Sequence, residues 1–475
     1  MSRLVIGPFN RVEGDLEVTL EAADGRVASA QVTAPLFRGF EQILVGRAPL
    51  DALVIAPRIC GICSISQSVA AARALGQALG VRPPPNGRRV ADLLLAVENA
   101  ADHLTHFALF FMPDFARSEY AGRPWHAEAA RRFAATSGQS ARAAMAARAR
   151  LLHVVGLLAG KWPHSLTLQP GGVAKSVDLG ERVRLGLIVG EFRRYLEQSL
   201  FGGSLESLTA LDSFVALEHW GERHGDSDLA LFLRLSRDLS LDSQGRGVGR
   251  FLSYGGLTGR AGLWCDGRVA PLDLDGLRED VSHGWMQGGA LHPARGQTRP
   301  DADKPMAYSW SKAPRLDGLS CEVGALARQA VNGHPLIADV LACGGWQGSV
   351  HDRVVARLLE LAQLVIAMEG LIAALNGDGP YCLEHGAADR AEGAGLAEAA
   401  RGALGHWLRI ENGGIAGYQI VAPTTWNFSP RDADGNPGPL EQALEGTLLE
   451  PGVNPPLMVQ HIVRSFDPCM SCTVH

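Results

Sequence analysis

Two Cys-x-x-Cys pairs at opposite ends of the chain constrain the fold more than any other feature. Cys60 and Cys63 lie near the beginning of the 475-residue sequence, and Cys469 and Cys472 lie close to its C-terminus. In a reducing compartment this spacing indicates metal or redox chemistry. Thiolates are soft ligands that select zinc, nickel or iron over calcium or magnesium. A fold that unites the two pairs would therefore build a four-thiolate metal site.

Structural zinc is the first alternative for these pairs, because four cysteines bind Zn²⁺ tetrahedrally. The two pairs of such a site usually lie about 15 to 20 residues apart in a small module. Here a whole subunit must fold to bring them together, which favours a metal at an active site. A thioredoxin-like role is less favoured, since neither pair lies at the strand-to-helix turn of a βαβ unit.

The other four cysteines are isolated in the sequence. Eight cysteines in a chain of this length are too few for a disulfide framework. Isolated cysteines most often pack as small buried hydrophobic side chains. We therefore expect a packing role for Cys265, Cys321, Cys343 and Cys382.

The composition is that of a well-buried globular protein, with 46% hydrophobic and 20% charged residues. A net charge of −6 argues against nucleic acid as a partner, because phosphate binding needs clustered cationic charge. The N-terminal residues contain no apolar core of signal-peptide length, and no run of about twenty apolar residues predicts a membrane span. We expect a cytoplasmic subunit with one domain over residues 1–475 and a permanent partner on its surface.

Hydrophobic periodicity predicts a mainly α-helical protein with small β elements, an α+β fold. Residues 15–34 alternate between apolar and polar around Asp24-Gly25, which predicts a β-hairpin. Four long segments carry apolar residues at spacings of three and four, and they favour a central antiparallel bundle. These segments are 88–111, 139–159, 181–200 and 352–375. The Gly- and Pro-rich stretches 242–350 and 412–468 are expected to be largely irregular.

The residues around both cysteine pairs resemble the two signature motifs of the nickel–iron hydrogenase large subunit. The motifs are Arg58-Ile59-Cys60-Gly61-Ile62-Cys63 and Asp467-Pro468-Cys469-Met470-Ser471-Cys472-Thr473-Val474-His475. Four further segments also match the family. Two of them, 11–14 and 36–41, precede the first motif, and the other two, 400–407 and 421–427, lie between the two motifs. Because six ordered motifs span the chain, it is identified as a member of this family, whose large subunit has a central long-helix bundle.

The resemblance implies a Ni–Fe(CN)2(CO) centre held by the four cysteines. All four would bind nickel, and Cys63 and Cys472 would also bind an iron that carries carbon monoxide and cyanide. Cys60 and Cys469 would then be terminal ligands. The implied reaction is heterolytic cleavage of dihydrogen, in which a terminal thiolate, by analogy Cys469, takes the proton. The electrons would pass to iron–sulfur clusters in a small subunit that forms an obligate heterodimer with this chain.

The resemblance also assigns charged residues around the centre. Glu13 matches the family's mobile carboxylate beside the terminal cysteine, the first proton relay. Arg401, with Asp102 and Asp467, matches the charged canopy over the open coordination position. Asp102 lies on an otherwise apolar helix face, where a buried carboxylate needs a cation such as Arg401.

Glu41 and His475 match the ligands of a Mg²⁺ ion near the C-terminus. A hard ion would use the Glu41 carboxylate, the His475 nitrogen, a main-chain carbonyl within 420–422, and water. Taken alone, a C-terminal histidine is more often a tail residue. His406 and the remaining histidines are expected to be packing residues.

Several positions depart from the standard enzymes, and three of them bear on the branch of the family. Gln67 stands where most members carry histidine, which is a mark of the regulatory, hydrogen-sensing branch. Glutamine can donate a hydrogen bond to a bridging sulfur but does not titrate. Ile62 and Phe110 stand where valine and leucine are usual, at positions that line the neck of the gas channel. Their extra bulk would slow dioxygen, although simple repacking of the core is the alternative.

We therefore expect the large subunit of a regulatory nickel–iron hydrogenase with low turnover and oxygen tolerance. The branch implies a histidine kinase as signalling partner and a dimer of heterodimers as a larger assembly. An energy-conserving uptake hydrogenase is the alternative within the enzyme class. A non-catalytic homologue in a respiratory complex is a third reading, which the intact cysteines disfavour.

Overall fold

The computed structural model describes residues 2–257, 259–449 and 455–475 of the chain. Within these ranges the protein is mainly α-helical with small antiparallel sheets of two or three strands, which confirms the α+β prediction. Among the described residues, no helix combines the length and the apolar composition needed to cross a bilayer.

The strands form five sheets within the described residues, each built from strands that are neighbours in sequence. They are β1 (Ser2–Ile6), β2 (Glu17–Ala23) and β3 (Arg26–Thr33); β4 (Leu168–Gln169) and β5 (Gly172–Val173); β6 (Arg250–Tyr254), β7 (Ala261–Cys265) and β8 (Arg268–Ala270); β9 (Leu277–Asp280) and β10 (Ala313–Leu316); and β11 (Ala391–Ala399), β12 (Gly402–Glu411) and β13 (Gly414–Val421). The predicted hairpin is confirmed: Asp24 and Gly25 connect β2 to β3 with φ of 52° and 73°, the left-handed conformations that a two-residue turn requires.

The helices supply most of the core. They are α1 (Phe40–Leu44), α2 (Ala52–Ile55), α3 (Ser64–Ala78), α4 (Pro85–Thr105), α5 (His126–Phe133), α6 (Gln139–Leu151), α7 (His153–Ala159), α8 (Leu179–Tyr195), α9 (Leu205–Thr209), α10 (Phe214–Arg223), α11 (Asp228–Asp238), α12 (Ala325–Asn332), α13 (Pro335–Cys343), α14 (Val350–Ala374), α15 (Pro423–Asn427), α16 (Pro439–Leu444), α17 (Leu457–Ser465) and α18 (Met470–Thr473). Single π-helical turns, His106–Phe111 and Leu196–Phe201, extend α4 and α8.

The two longest helices, α4 and α14, pack against each other at the centre of the helical core. Helix α14 begins two residues before its predicted start because Ser349 and Asp352 form a capping box. The pattern over 139–159 is divided into α6 and α7. The four predicted helical segments are thus present, with shifted ends.

Two expectations from the sequence are wrong in part. The stretch 242–350 is largely irregular, as expected, around the short elements β6 to β10, α12 and α13, whereas β13 and α15 to α17 occupy about half of 412–468. Within these stretches, position 258 and residues 450–454 lie outside the described residues. Of the isolated cysteines only Cys321 is buried, whereas the other three are exposed, namely Cys265, Cys343 and Cys382.

Candidate metal centre

Four cysteine sulfurs meet in the interior of the protein. The Sγ atoms of Cys60, Cys63, Cys469 and Cys472 lie within 4.8 Å of one another, and all four residues are buried. Cys472 Sγ lies 3.0 Å from both Cys63 Sγ and Cys469 Sγ, and Cys469 Sγ lies 3.5 Å from Cys60 Sγ. The fold thus unites the two pairs, as their spacing predicted.

The chemistry of this donor set fits a soft metal cation. Hydrogen bonding with Cys469 lowers the pKa of Cys60 well below its usual value, and hydrogen bonding with Cys469 raises the pKa of Cys63 and of Cys472. One negative charge is therefore easily held among the four sulfurs, and further ionisation in this buried space needs a cation. Thiolate ligands select zinc, nickel or iron.

The backbone around the sulfurs is fixed by Arg38. Its Nη2 atom donates to the Ile59 carbonyl at 2.6 Å and also to the Ser471 carbonyl. These two carbonyls directly precede Cys60 and Cys472 in the chain. One guanidinium group therefore couples the two cysteine segments, and this role was not predicted from the sequence.

Glu13 is held beside Cys469 by backbone pairing. Its N–H donates to the Pro468 carbonyl at 3.3 Å, and its carbonyl accepts from the Met470 N–H at 2.7 Å. Burial raises the pKa of the half-buried Glu13 carboxyl, and negative charge on Cys60 raises it further. The structure thus places the predicted relay residue next to the predicted terminal thiolate.

The three charged residues predicted to lie over the open coordination position, Arg401, Asp102 and Asp467, also contact one another. The Arg401 guanidinium donates to Asp102 at 2.6 and 3.2 Å and to the Asp467 carboxylate at 3.1 Å, and all three residues are buried. Burial raises the pKa of Asp102 to about 7 despite the attraction of Arg401. A second cation, which sequence reasoning missed, is Arg357: it donates to Asp467 at 3.3 Å and to the Phe466 carbonyl at 3.1 Å.

A further buried arginine fixes the backbone that carries Arg401. Arg328 donates to the carbonyls of Ala399 and Ala400 at 2.8 and 3.0 Å. Its other donors bind Glu360 and Glu398 at 2.6 to 2.7 Å. Sequence reasoning missed this network, because its members lie on α12, α14 and β11 with the turn that follows it, and no local pattern connects them.

Gln67 reaches the metal-binding sulfurs from the first turn of α3. Its Nε2 atom lies 3.9 Å from Cys472 Sγ, and its Oε1 atom lies 2.8 Å from Nε2 of His406. His406 Nδ1 lies 2.8 Å from the Tyr418 hydroxyl. The expectation that His406 only packs is wrong, since it connects a side chain at the sulfurs to a buried tyrosine.

Ile62 lies in the loop between two of the cysteines, and Phe110 lies on a segment that contacts the N-terminal residues. Ile62 packs, half-buried, against the core. Phe110 is half-buried in the π-helical turn after α4, where its carbonyl accepts from Arg11 at 3.4 Å. This contact places the Phe110 turn beside the segment that carries Glu13.

The predicted ligands of the hard cation lie together near the C-terminus. Glu41 Oε1 accepts from the Ile420 N–H at 2.8 Å and lies 3.3 Å from His475 Nε2. Glu41 Oε2 lies 3.3 Å from the Lys312 ammonium, which also contacts Glu279 at 3.4 Å. Lys312 and Glu279 were not predicted from the sequence.

This C-terminal cluster fits a small hard ion. Although burial opposes it, the positive charge of Lys312 lowers the pKa of Glu41 to about 2, so the carboxylate is ionised. The cluster surrounds a cavity of about 10 Å³, the room that one water or small ion needs. Carboxylate oxygen is the ligand that Mg²⁺ prefers. Lys312 lies between Glu41 and Glu279, and burial raises the pKa of Glu279, so Glu41 is the carboxylate that would bind the ion.

Comparison with known proteins shows the family. A family model described as nickel-dependent hydrogenase matches residues 38–130 and 141–475. The chain belongs to this family, so it is the large subunit of a nickel–iron hydrogenase and an oxidoreductase. This confirms the family predicted from the six motifs.

Several relatives match over the whole chain. The periplasmic [NiFeSe] hydrogenase large subunit of Desulfomicrobium baculatum is 29% identical over 100% of this chain and 95% of its own. The Hydrogenase-2 large chain of Escherichia coli K12 is 28% identical over 100% and 97%. A crystal structure of the reduced, active Ni-Fe-Se hydrogenase from D. baculatum has a TM-score of 0.85 at 29% identity, and it covers 100% of both chains.

Loss of a single cluster thiolate should remove the metal. We expect Cys60→Ser to abolish bound nickel, from about one ion per chain in the parent, because a hard alkoxide is a poor substitute for thiolate. Elemental analysis of the purified heterodimer measures this directly. The matched control is Cys343→Ser, which changes an exposed cysteine and should keep the parent's nickel. Parental nickel in Cys60→Ser would contradict the assignment of this ligand.

Proposed function

We propose that this subunit activates dihydrogen in a regulatory, hydrogen-sensing nickel–iron hydrogenase. The observation that carries the proposal is the non-titrating amide of Gln67, 3.9 Å from the sulfur of Cys472. The same position in most members of the family holds a histidine, which can change its charge near neutral pH. An amide keeps the same charge at every working pH.

The four cysteines would hold the metals, with Cys63 and Cys472 shared between nickel and iron. When bound, the Ni–Fe(CN)2(CO) centre supplies an electron-rich site for the heterolytic cleavage of dihydrogen. Cys469 acts as the terminal thiolate that takes the proton. The backbone pairing of Cys469 with Glu13, the predicted proton relay, supports this role.

Glu13 carries the proton away from Cys469. Its backbone is paired with Pro468 and Met470, so the main chain is fixed, while the half-buried carboxylate has no hydrogen-bond partner among the described residues that would restrain it. A relay group must take up and release protons near neutral pH, and the raised pKa of Glu13 favours both steps.

Arg401 covers the space beside the sulfurs and holds a positive charge there. Its two carboxylate partners fix the guanidinium, and Arg328 fixes the backbone that precedes it. A charge that is oriented before the reaction stabilises developing negative charge without further reorganisation. Water is excluded because all of these residues are buried.

Electrons leave through an iron–sulfur small subunit that binds the N-terminal region. Several large apolar side chains in this region are exposed on the isolated chain, as a permanent interface requires. Their exposed fractions are 51% for Val5, 54% for Leu36, 44% for Ile43, 51% for Val45, 46% for Leu50 and 39% for Val54. Arg38, which binds both cysteine segments, lies in the same part of the chain.

A Mg²⁺ ion at Glu41 and His475 would stabilise the C-terminal residues that follow Cys472. His475 is tied back to the Cys472 carbonyl through Nδ1 at 2.9 Å, so an ion bound at its other ring nitrogen acts on the cysteine segment. We place the heterodimer, or a dimer of heterodimers, in the cytoplasm with a histidine kinase as signalling partner.

An uptake hydrogenase is the second candidate function. Relatives named uptake hydrogenase large subunit, from Rubrivivax gelatinosus and Rhodobacter capsulatus, match over the whole chain at 26% and 28% identity. An uptake enzyme would show high turnover and pass its electrons to the membrane, whereas a sensor would turn over slowly and act on a kinase.

Glu13→Gln should block proton exit and leave the metal in place. The amide fills the same space but does not shuttle a proton at neutral pH, so exchange of deuterium with water should fall about a hundredfold. Mass spectrometry of the gas phase over the heterodimer measures the exchange, and elemental analysis confirms the nickel. Glu17→Gln, on the exposed start of β2, is the matched control and should exchange like the parent. Parental exchange in Glu13→Gln would assign the relay to another residue.

The double change Ile62→Val with Phe110→Leu should make the protein sensitive to oxygen. Both changes remove volume at positions that the family resemblance assigns to the neck of the gas channel, which should open a path for gas. The parent should keep oxidising dihydrogen in air at a low rate, and the activity of the double variant should decline with time of exposure. Spectra taken without oxygen should match the parent's. A double variant as tolerant as the parent would show that restricted access does not protect the site.

The sensing role predicts a response in the kinase. Dihydrogen should change the autophosphorylation of the histidine kinase from the same gene neighbourhood when the parent heterodimer is present. The heterodimer with Cys60→Ser should give no response, because it lacks the metal. Equal phosphorylation with and without dihydrogen, together with high turnover, would favour the uptake function.

A further inference from the structure

We propose that His406 is a positioning residue that acts through Gln67 on the sulfur of Cys472. It holds the Gln67 side chain so that the amide NH2 group, and not the carbonyl oxygen, faces the sulfur. The inference rests on the proposed role of Cys472 as a ligand shared by both metals. It assigns a function to a buried histidine that lies outside the cysteine cluster.

The three side chains form one continuous hydrogen-bonded chain in the interior. Gln67 Nε2 lies 3.9 Å from Cys472 Sγ, Gln67 Oε1 lies 2.8 Å from His406 Nε2, and His406 Nδ1 lies 2.8 Å from the Tyr418 hydroxyl. The exposed fractions are 1% for Gln67, 0% for His406 and 1% for Tyr418. Water therefore does not compete for these donors and acceptors.

Local structure explains why these residues meet. The Gln67 N–H donates to the Cys63 carbonyl at 3.1 Å, so Gln67 lies one helical turn after that cysteine and its side chain turns back to the sulfurs. In the sheet, His406 is paired with Ile420 and Leu408 with Tyr418. His406 and Tyr418 are therefore diagonal neighbours on one face, with ring centroids 5.6 Å apart.

The direction of each hydrogen bond follows from the protonation states of His406 and Tyr418. Burial lowers the pKa of His406 to about 3, so the ring is neutral and carries a single N–H. Burial raises the pKa of Tyr418, so its hydroxyl keeps the proton. Among the described residues, this hydroxyl has only His406 Nδ1 as a hydrogen-bond partner, so it donates to that nitrogen.

The histidine proton is then on Nε2 and is donated to Gln67 Oε1. This leaves the Gln67 NH2 group facing Cys472. The flipped amide would place its carbonyl oxygen against a sulfur that metal binding makes anionic, and it would reverse the histidine tautomer. The Tyr418 hydroxyl would then have no acceptor, and a buried polar group without a partner is disfavoured. Tyr418 thus determines the tautomer of His406, and this tautomer determines the orientation of the Gln67 amide.

An N–H directed at a metal-bound thiolate draws electron density from the sulfur, and such hydrogen bonds tune metal centres. Loss of this hydrogen bond should make the sulfur a stronger donor to the iron. The stretching bands of carbon monoxide and cyanide should then move to lower frequency. Infrared spectroscopy of the anaerobic heterodimer measures this effect independently of turnover.

A double-mutant cycle tests the inference. Gln67→Leu and His406→Leu should shift the bands in the same direction, and the double variant should show the shift of Gln67→Leu alone, because His406 acts only through Gln67. His406→Gln, which restores a donor toward Gln67, should return the bands toward the parent's. Additive shifts, or parental bands in His406→Leu, would overturn the proposal.

Tyr418→Phe tests the tautomer with little change in shape, so it remains informative if His406→Leu does not fold. Without the hydroxyl, His406 can adopt either tautomer and the Gln67 amide can adopt either orientation. Each carbon monoxide and cyanide band should then split into two. The matched control is Tyr381→Phe, which removes a hydroxyl bound to the Val177 and Asn376 carbonyls and should keep single bands. Single parental bands in Tyr418→Phe would contradict the assigned tautomer. A parent that lacks these bands would instead contradict the proposed metal centre itself.

Discussion

The structure depends on bringing the two ends of a long chain together around four buried sulfurs. The cysteines of opposite pairs are 409 residues apart in sequence, and closing a loop of that length costs about 5 kcal/mol of chain entropy. The contacts that oppose this cost lie beside the site. Asp114 binds Arg11 from the N-terminal segment and both His461 and Arg464 from α17. The metal would therefore bind where the fold has already united both ends.

Because the four sulfurs lie in the interior, the charged side chains that surround them are buried as well. Arg401 and Arg357 carry two positive charges, and Asp102 and Asp467 supply two carboxylates that pair with them. An unpaired charge at this depth would be strongly destabilising, whereas a paired and hydrogen-bonded set is tolerated. This set of paired charges holds the guanidinium in one orientation, so the guanidinium does not need to rearrange during a reaction.

The sequence revealed the parts of the site that local spacing or a known motif marks. The cysteine pairs, the hairpin at Asp24 and Gly25, and the long helices were all recognisable, and the motifs identified the family. Lys312, Arg328 and Arg357 were missed because their partners are distant in sequence and only the folded chain brings them together.

The function of His406 was hidden for a different physical reason. Strand β12 is buried on both faces along almost its whole length, so it shows no alternation of polar and apolar residues that would set His406 apart. Only the pairing of β12 with β13 places the ring between Tyr418 and Gln67. The register of one small sheet therefore decides which end of an amide faces the sulfur.

The hydrogen bonds from Tyr418 to His406 and from His406 to Gln67 give a physical reason for glutamine at position 67. A histidine there would face the neutral ring of His406, so the two imidazoles would need complementary tautomers, and protonation of either would change the charge beside Cys472. Gln67 has no such freedom, because His406 stays neutral and Tyr418 fixes its tautomer. The hydrogen bond toward the sulfur is then independent of pH wherever the His406 ring is neutral, which is the case well above its lowered pKa of about 3. The proposed sensing function would require this constancy, because any drift in the electron density at Cys472 would alter the response without a change in the gas.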